Sequence, residues 1–224
     1  MIQFKNVTKK FANGLVALAA VTLNIDKQEF VFITGASGAG KTTLLRLIIR
    51  DILPTSGEVI VDGEEVTKLP RKRILDLRRK VGMVFQDFKL LTDRTVFENV
   101  ALALEIMGKK PQDNTLEVEK ILTQVGLINQ KDFFPIQLSG GEAQRTVIAR
   151  AVVAKPKILL ADEPTGNLDR STSWEIIKLL EEINKNGTTV IMATNNFDIV
   201  NSLKKRVITL EKGKVKRDEK EGQY

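Results

Sequence analysis

The chain has 224 residues, with 35 Lys plus Arg against 28 Asp plus Glu for a formal net charge of +7, and it contains neither cysteine nor histidine. The first absence excludes disulfides and thiolate chemistry, and the second leaves acid–base work to carboxylates. The length allows one sizeable core, no stretch of ~18 apolar residues is present to span a bilayer, and the N-terminus lacks a signal peptide's basic-then-apolar pattern, so the chain is expected in the cytoplasm.

Residues 2–7 and 15–25 alternate apolar and polar side chains and read as strands joined through a turn at Asn13-Gly14. Phe11, just ahead of that turn, is either a core or edge aromatic or a flat face for an adenine ring. The apolar run Phe30-Val31-Phe32-Ile33 then leads into Gly35-Ala36-Ser37-Gly38-Ala39-Gly40-Lys41-Thr42, followed by Thr43 and a helical-looking Leu44-Leu45-Arg46-Leu47. Strand, glycine-rich loop and helix at the spacing G-x-x-x-x-G-K-[ST] make a phosphate cradle. Small residues let backbone N–H groups close on phosphate oxygens, and the helix adds its positive end. Lys41 is placed to reach the β- and γ-phosphates and the Thr42 hydroxyl to hold Mg²⁺.

Residues 54–57 turn into a strand over 58–62. The basic stretch 71–80, with Ile74, Leu75 and Leu77 as a narrow apolar face, predicts a short surface helix, and 81–85 a buried strand. Gln86 at its end is either polar punctuation or an amide that contacts Mg²⁺ or an attacking water. Phe88, Leu90 and Leu91 beside it are apolar and suggest a docking surface for a partner. From 96 to 127 the period becomes helical, first through Val96, Val100, Leu102, Leu104 and Met107, then through Leu116, Val118, Ile121, Leu122 and Val125. No strand pattern interrupts 95–155, which predicts a helical lobe inserted into an α/β core.

Leu138-Ser139-Gly140-Gly141-Glu142 opens the next helix. It reads as a second anion site, with a hydroxyl, two glycines for close approach and a helix N-terminus, against the alternative of a plain cap completed by Glu142. The apolar run 157–161 ends in Asp162-Glu163, a parallel central strand with two carboxylates at its carboxyl end. Asp162 is placed to hold Mg²⁺ through water, and Glu163, pointing elsewhere, to take a proton from that attacking water. Asn167-Leu168-Asp169 turns into a helix over 172–183 that carries the sole tryptophan, Trp174, as a packing residue. A buried strand over 188–193 ends at Thr194-Asn195-Asn196, a closing strand pair follows at 207–210 and 214–216, and the charged tail beyond is expected to fray. The basic runs at 71–73, 78–80 and 204–206 are either solvated faces or contacts to an anionic membrane; without interleaved aromatics, nucleic acid ranks low.

With Gly35 to Thr42, Gln86, Leu138 to Glu142, Ile158 to Glu163 and Asn167 to Asp169 in this order, the chain resembles an ABC-transporter ATPase subunit over essentially its full length. The resemblance implies a single P-loop NTPase domain over 1–224. It would have a RecA-like core and an antiparallel β subdomain over about 1–87 and 156–217, an inserted helical lobe over about 88–155, and a charged tail over 218–224. It further implies ATP and Mg²⁺ as ligands and a head-to-tail homodimer in which the Ser139-Gly140-Gly141 segment of one copy closes on ATP held by the other. Val84-Phe85-Gln86-Asp87-Phe88, Asp93-Arg94-Thr95-Val96 and Phe134-Pro135-Ile136-Gln137 are most similar to the FtsE-type branch that serves bacterial cell division; lipoprotein-release and macrolide-efflux ATPases are similar in the same stretches. That branch implies an FtsX-like integral membrane partner, a peripheral location on the cytoplasmic membrane face, and control of a peptidoglycan hydrolase. Where the family carries a histidine after the penultimate core strand this chain has Asn195, with Asn196 for the usual aspartate. This implies either slow hydrolysis or an amide substituting for the imidazole, and it keeps open a nucleotide-gated binding module that hydrolyses little. A soluble ABC ATPase acting on DNA or ribosomes would need a coiled-coil insertion or a second cassette, and neither is present.

Overall fold

The computed structural model describes residues 1–109 and 111–222, the side chains of 111–113 excepted. Strands β1 (Ile2–Lys10) and β2 (Val16–Ile25) are followed by β3 (Phe30–Thr34) and helix α1 (Lys41–Ile48), then β4 (Ser56–Val61) and β5 (Glu64–Glu65). Helix α2 (Ile74–Arg79) and β6 (Val81–Val84) lead into three helices, α3 (Val96–Ile106), α4 (Pro111–Gln124) and α5 (Gly140–Val152). The chain returns through β7 (Ile158–Asp162), α6 (Arg170–Lys185), β8 (Thr189–Ala193), α7 (Phe197–Leu203), β9 (Arg206–Glu211) and β10 (Lys214–Glu219).

Two sheets result. An antiparallel sheet runs β2-β1-β4-β5, and a six-stranded sheet runs β10-β9-β3-β8-β7-β6, parallel throughout except for the edge strand β10. β3, β7 and β8 are buried at every position, as central parallel strands covered on both faces must be. Alternation along them feeds two cores. Phe32, Leu159 and Met192 face α3, α5 and α6, whereas Ile33, Leu160 and Ile191 face α1 and the antiparallel sheet. Phe32 is fully buried, and truncating it to alanine would cost about 3–5 kcal/mol. Among the described residues no helix is long and apolar enough to cross a membrane.

Several expectations are corrected. β1 runs three residues past its predicted end, because Asn6 takes φ 51° and the register with β2 shifts between Phe4 and Val7, which breaks the alternation. Leu75 on α2, Leu116 on α4 and Met107 just past α3 turn outward, leaving Leu77, Val118 and Leu104 to make the contacts. Helix α7 was not foreseen: Asn196 caps it by accepting from Ile199 N at 3.2 Å, and only Ile199 and Val200 are buried, too short a stripe to read as a period. The tail does not fray after 216. β10 continues to Glu219, held where Asp218 takes the Arg206 Nε and Nη2 groups at 2.8 Å each; residues 223–224 lie outside the described residues. The basic runs are largely engaged within the chain, with Arg78 on Ile49 O, Lys80 on Asp62 and Glu64, and Lys205 on Glu181, which favours local pairing over membrane contact there.

Candidate nucleotide site

Four neighbouring parallel strands, β3, β8, β7 and β6, end side by side, and each delivers one part of the site. β3 leads into the glycine loop, β8 into Asn195, β7 into Asp162-Glu163 and β6 into Gln86. Ligands of open parallel sheets collect at this edge. A cleft of about 590 Å³ opens there, lined among others by Phe11, Ser37, Lys41, Gln86, Glu163 and Asn195.

The loop's glycines are required by its shape. Gly35 and Gly40 take φ 136° and 108°, and a Cβ on either would collide with a backbone oxygen, of Leu210 and of Ala17 respectively. The first intrahelical bond of α1 is Leu44 N to Gly40 O at 2.9 Å. The N–H groups of Lys41, Thr42 and Thr43 therefore have no intrahelical acceptor and are available to an anion. The loop has two sides: Ser37, Gly38, Gly40, Lys41, Thr42 and Thr43 line the cleft, whereas Gly35, Ala36 and Ala39 border a separate recess beside Thr209 and Lys212.

Lys41 is buried, and its Nζ donates to Gly35 O and Asn195 Oδ1 at 2.7 Å each and to Ala36 O at 3.4 Å, with Glu163 Oε1 at 3.6 Å. Glu163 leaves β7 at φ 47°, a left-handed turn, while the Asn195 backbone N donates to its Oε2 at 3.3 Å. Burial pushes the Glu163 carboxyl above the usual 4.5; Lys41 and the Asn195 amide oppose this and Asp162 adds to it. Burial likewise raises Asp162, against the Thr42 hydroxyl and the Lys41 charge. Asp162 Oδ1 is buried with no hydrogen-bond partner. Orphaned buried carboxylate oxygens are costly, and the same side chain interacts with the Thr42 hydroxyl at the phosphate loop. A divalent cation shared with phosphate oxygens fits that donor set: Thr42 and Asp162, with Gln86 at the cleft wall. Among the described residues no group of three or more carboxylates forms a metal site of its own.

Ser139, Gly140, Gly141 and Glu142 do not border this cleft. They close a capping box at the start of α5: Glu142 Oε2 accepts from Ser139 N at 2.9 Å and from its Oγ at 2.7 Å, and Glu142 N donates back to Oγ at 3.3 Å. Gly141 is demanded by packing, since a Cβ would stand 2.6 Å from Thr172 Cγ2. Gly141 thus has a packing cause on another helix that the sequence did not disclose. Phe88 and Leu90, expected to be free for docking, are half-buried against the core, while Leu91 is fixed through its N–H and C=O by the Asn99 side chain.

Sequence reading missed Leu15, Ala17, Thr165, Gly166, Thr194 and Asn196, which also line the cleft. Thr165 and Gly166 follow Glu163 by two and three residues, and that adjacency was the available signal.

Residues 18–166 match the family model described as ABC transporter. The chain is 50% identical to the Cell division ATP-binding protein FtsE of Bacillus subtilis over 224 residues, covering 100% of this chain and 98% of that one. It is 47% identical to the protein of the same name from Escherichia coli, over 95% of this chain and 96% of that one. A solved dimer of the ATP-binding cassette MJ0796 in a post-hydrolysis state, bound to ADP and Pi, superposes with a TM-score of 0.91 at 37% identity, each chain covered fully.

Proposed function

The chain belongs to the ABC transporter family and hydrolyses ATP, and from that membership we propose that it is the ATPase of a cell-division complex, docked on an FtsX-like membrane protein at the cytoplasmic face. The observation that carries the catalytic reading is the pairing of Glu163 with Lys41, 3.6 Å apart at the phosphate loop. Lys41 and the first N–H groups of α1 hold the β- and γ-phosphates, and Phe11 offers its ring to the base. Glu163, held by the Asn195 backbone, takes the proton of the attacking water, and Gln86 orients that water. Mg²⁺ held by Thr42, Asp162 and Gln86 would neutralise charge on the phosphate oxygens. Ser139 to Glu142 of a second copy complete the site in a head-to-tail dimer, a reading supported by the dimeric MJ0796 cassette.

End-to-end identity near 50% with named cell-division proteins supports division over export. Depleting the chain in its host tests this. Elongated cells that fail to separate, with lipoprotein sorting and macrolide resistance intact, are the expected outcome; normal division with defective sorting assigns it to the lipoprotein-release branch.

A further inference from the structure

Arg150 is a cation that the phosphate chemistry leaves unused. It lies on α5 among Ile148, Ala149, Ala151 and Val152, a strongly apolar stretch, and burial draws its guanidinium below the usual arginine value with no charged neighbour acting on it. Its donors meet carbonyls instead: Nη1 reaches Lys89 O at 2.8 Å and Nη2 reaches Phe88 O at 3.1 Å. Cations drawn out of water are normally paired with carboxylates; this half-buried one is committed to the backbone two and three residues past Gln86. Lys89 is left-handed at φ 47° and sets its ammonium 4.1 Å from the centroid of the Phe85 ring, so the chain folds back on itself around Gln86. The far end of the segment is held from α3, where the fully buried Asn99 bonds Leu91 through both its N–H and C=O, at 2.9 and 3.0 Å. Gln86 and Asp87 are left exposed between β6 and the clamp.

We propose that Arg150 is a positioning residue for ATP hydrolysis: by gripping the carbonyls of Phe88 and Lys89 it sets Gln86 in register with α5, the helix whose opposite end carries Ser139. Eleven residues separate Ser139 from Arg150, roughly 16 Å of helix. A movement of α5 is therefore transmitted to Gln86 through two hydrogen bonds. A lysine has a single ammonium and cannot span both carbonyls as the planar guanidinium does. The inference rests on the reading that Gln86 serves the reacting end of ATP.

The test is a double-mutant cycle of Gln86→Ala and Arg150→Met, with Arg150→Lys and Arg150→Gln as milder variants should the methionine chain fail to fold. In the Arg150 variants ATP affinity by equilibrium titration should stay within about twofold of the parent, because the phosphate loop and the cleft lining are untouched. Turnover should fall by about ten- to a hundredfold in each single variant, the range for misplacing a catalytic group by about an ångström. The double variant should be no slower than the worse single one. Hydrogen exchange without added nucleotide should rise at 87–90 in the Arg150 variants. If Gln86→Ala is slow while Arg150→Lys and Arg150→Met turn over normally, or if the two effects multiply, the positioning role is overturned and the role of Gln86 stands. If Gln86→Ala itself turns over normally, the reading of Gln86 falls and the inference with it. Unchanged exchange at 87–90 overturns it independently of any activity.

Discussion

Asn195 Oδ1 accepts a hydrogen bond from the Lys41 ammonium at 2.7 Å, tying the end of β8 to the phosphate loop across 154 residues of sequence. The same ammonium also engages Gly35 O and the Glu163 carboxylate. In the proposed binding mode an incoming phosphate would compete with protein oxygens for Lys41, and the residue at 195 would be one of the competitors.

Lys41→Ala should abolish useful ATP binding. Charge-assisted contacts of this kind contribute about 1.5–3 kcal/mol each, so affinity should fall at least about tenfold. The substitution also removes the positive neighbour that holds the Glu163 carboxyl down. Equilibrium titration with ATP checks it, and parental affinity would show that phosphate is bound elsewhere.

Glu163→Gln should stop turnover, raise the melting temperature and trap an ATP-bound dimer. The sign follows from burial: the folded-state carboxyl titrates above its usual 4.5, so ionisation disfavours the fold. That penalty is absent below 4.5, grows as pH climbs to the raised folded value and is complete above it. A neutral amide removes it at pH 7, and each kcal/mol so regained is worth about 2–4 °C in a chain this size. The gain should vanish near pH 4. Calorimetry at both pH values and light scattering with ATP decide it; an unchanged mass with ATP bound would count against the head-to-tail dimer.

What the sequence disclosed tracks how local each cause is. The phosphate loop was legible because Gly35 to Thr42 contain their own geometry, and β3, β7 and β8 because full burial leaves a continuous apolar run. Non-local causes stayed hidden. Gly141 answers to Thr172 on another helix, and Phe88 to a core that its neighbours in sequence do not reveal. Arg150 answers to the carbonyls of Phe88 and Lys89, some sixty residues earlier. Helix α7 failed for the opposite reason, being too short to show a period.

Membrane docking should follow exposed apolar surface. Leu75 and Ile106 are 57% and 58% exposed and border a groove of about 340 Å³ with Met107 and Arg79. Leu75→Asp and Ile106→Asp should leave ATP binding unchanged and break co-purification with the membrane subunit, whereas Phe88→Asp should cost stability. Wild-type co-purification of the Leu75/Ile106 double variant would move the docking site elsewhere.

Asn195 should leave an active but slow enzyme. Glu163 remains to activate water, Lys41 remains to stabilise charge on the γ-phosphate, and positioning with electrostatics carries most of phosphoryl transfer. What an asparagine cannot supply is the reach of an imidazole N–H donor. Losing one donor to a developing oxyanion costs about 10²–10³ in rate, and partial replacement should cost less. Asn195→Ala isolates the side chain, because the backbone N–H that holds Glu163 Oε2 at 3.3 Å is kept. It should lower kcat and, by freeing Lys41 from one competing oxygen, leave ATP affinity equal or tighter. Asn195→His should raise kcat, and since an imidazolium would stand against the Lys41 ammonium, the imidazole there should titrate below its usual value of about 6.5. Its gain should therefore persist down to about pH 6, where a free histidine would already be charged. Steady-state assays at saturating ATP across pH 6 to 8 settle the point: if the alanine variant matches the parent in kcat, Asn195 takes no part in the reaction, and its contact with Lys41 serves the loop alone.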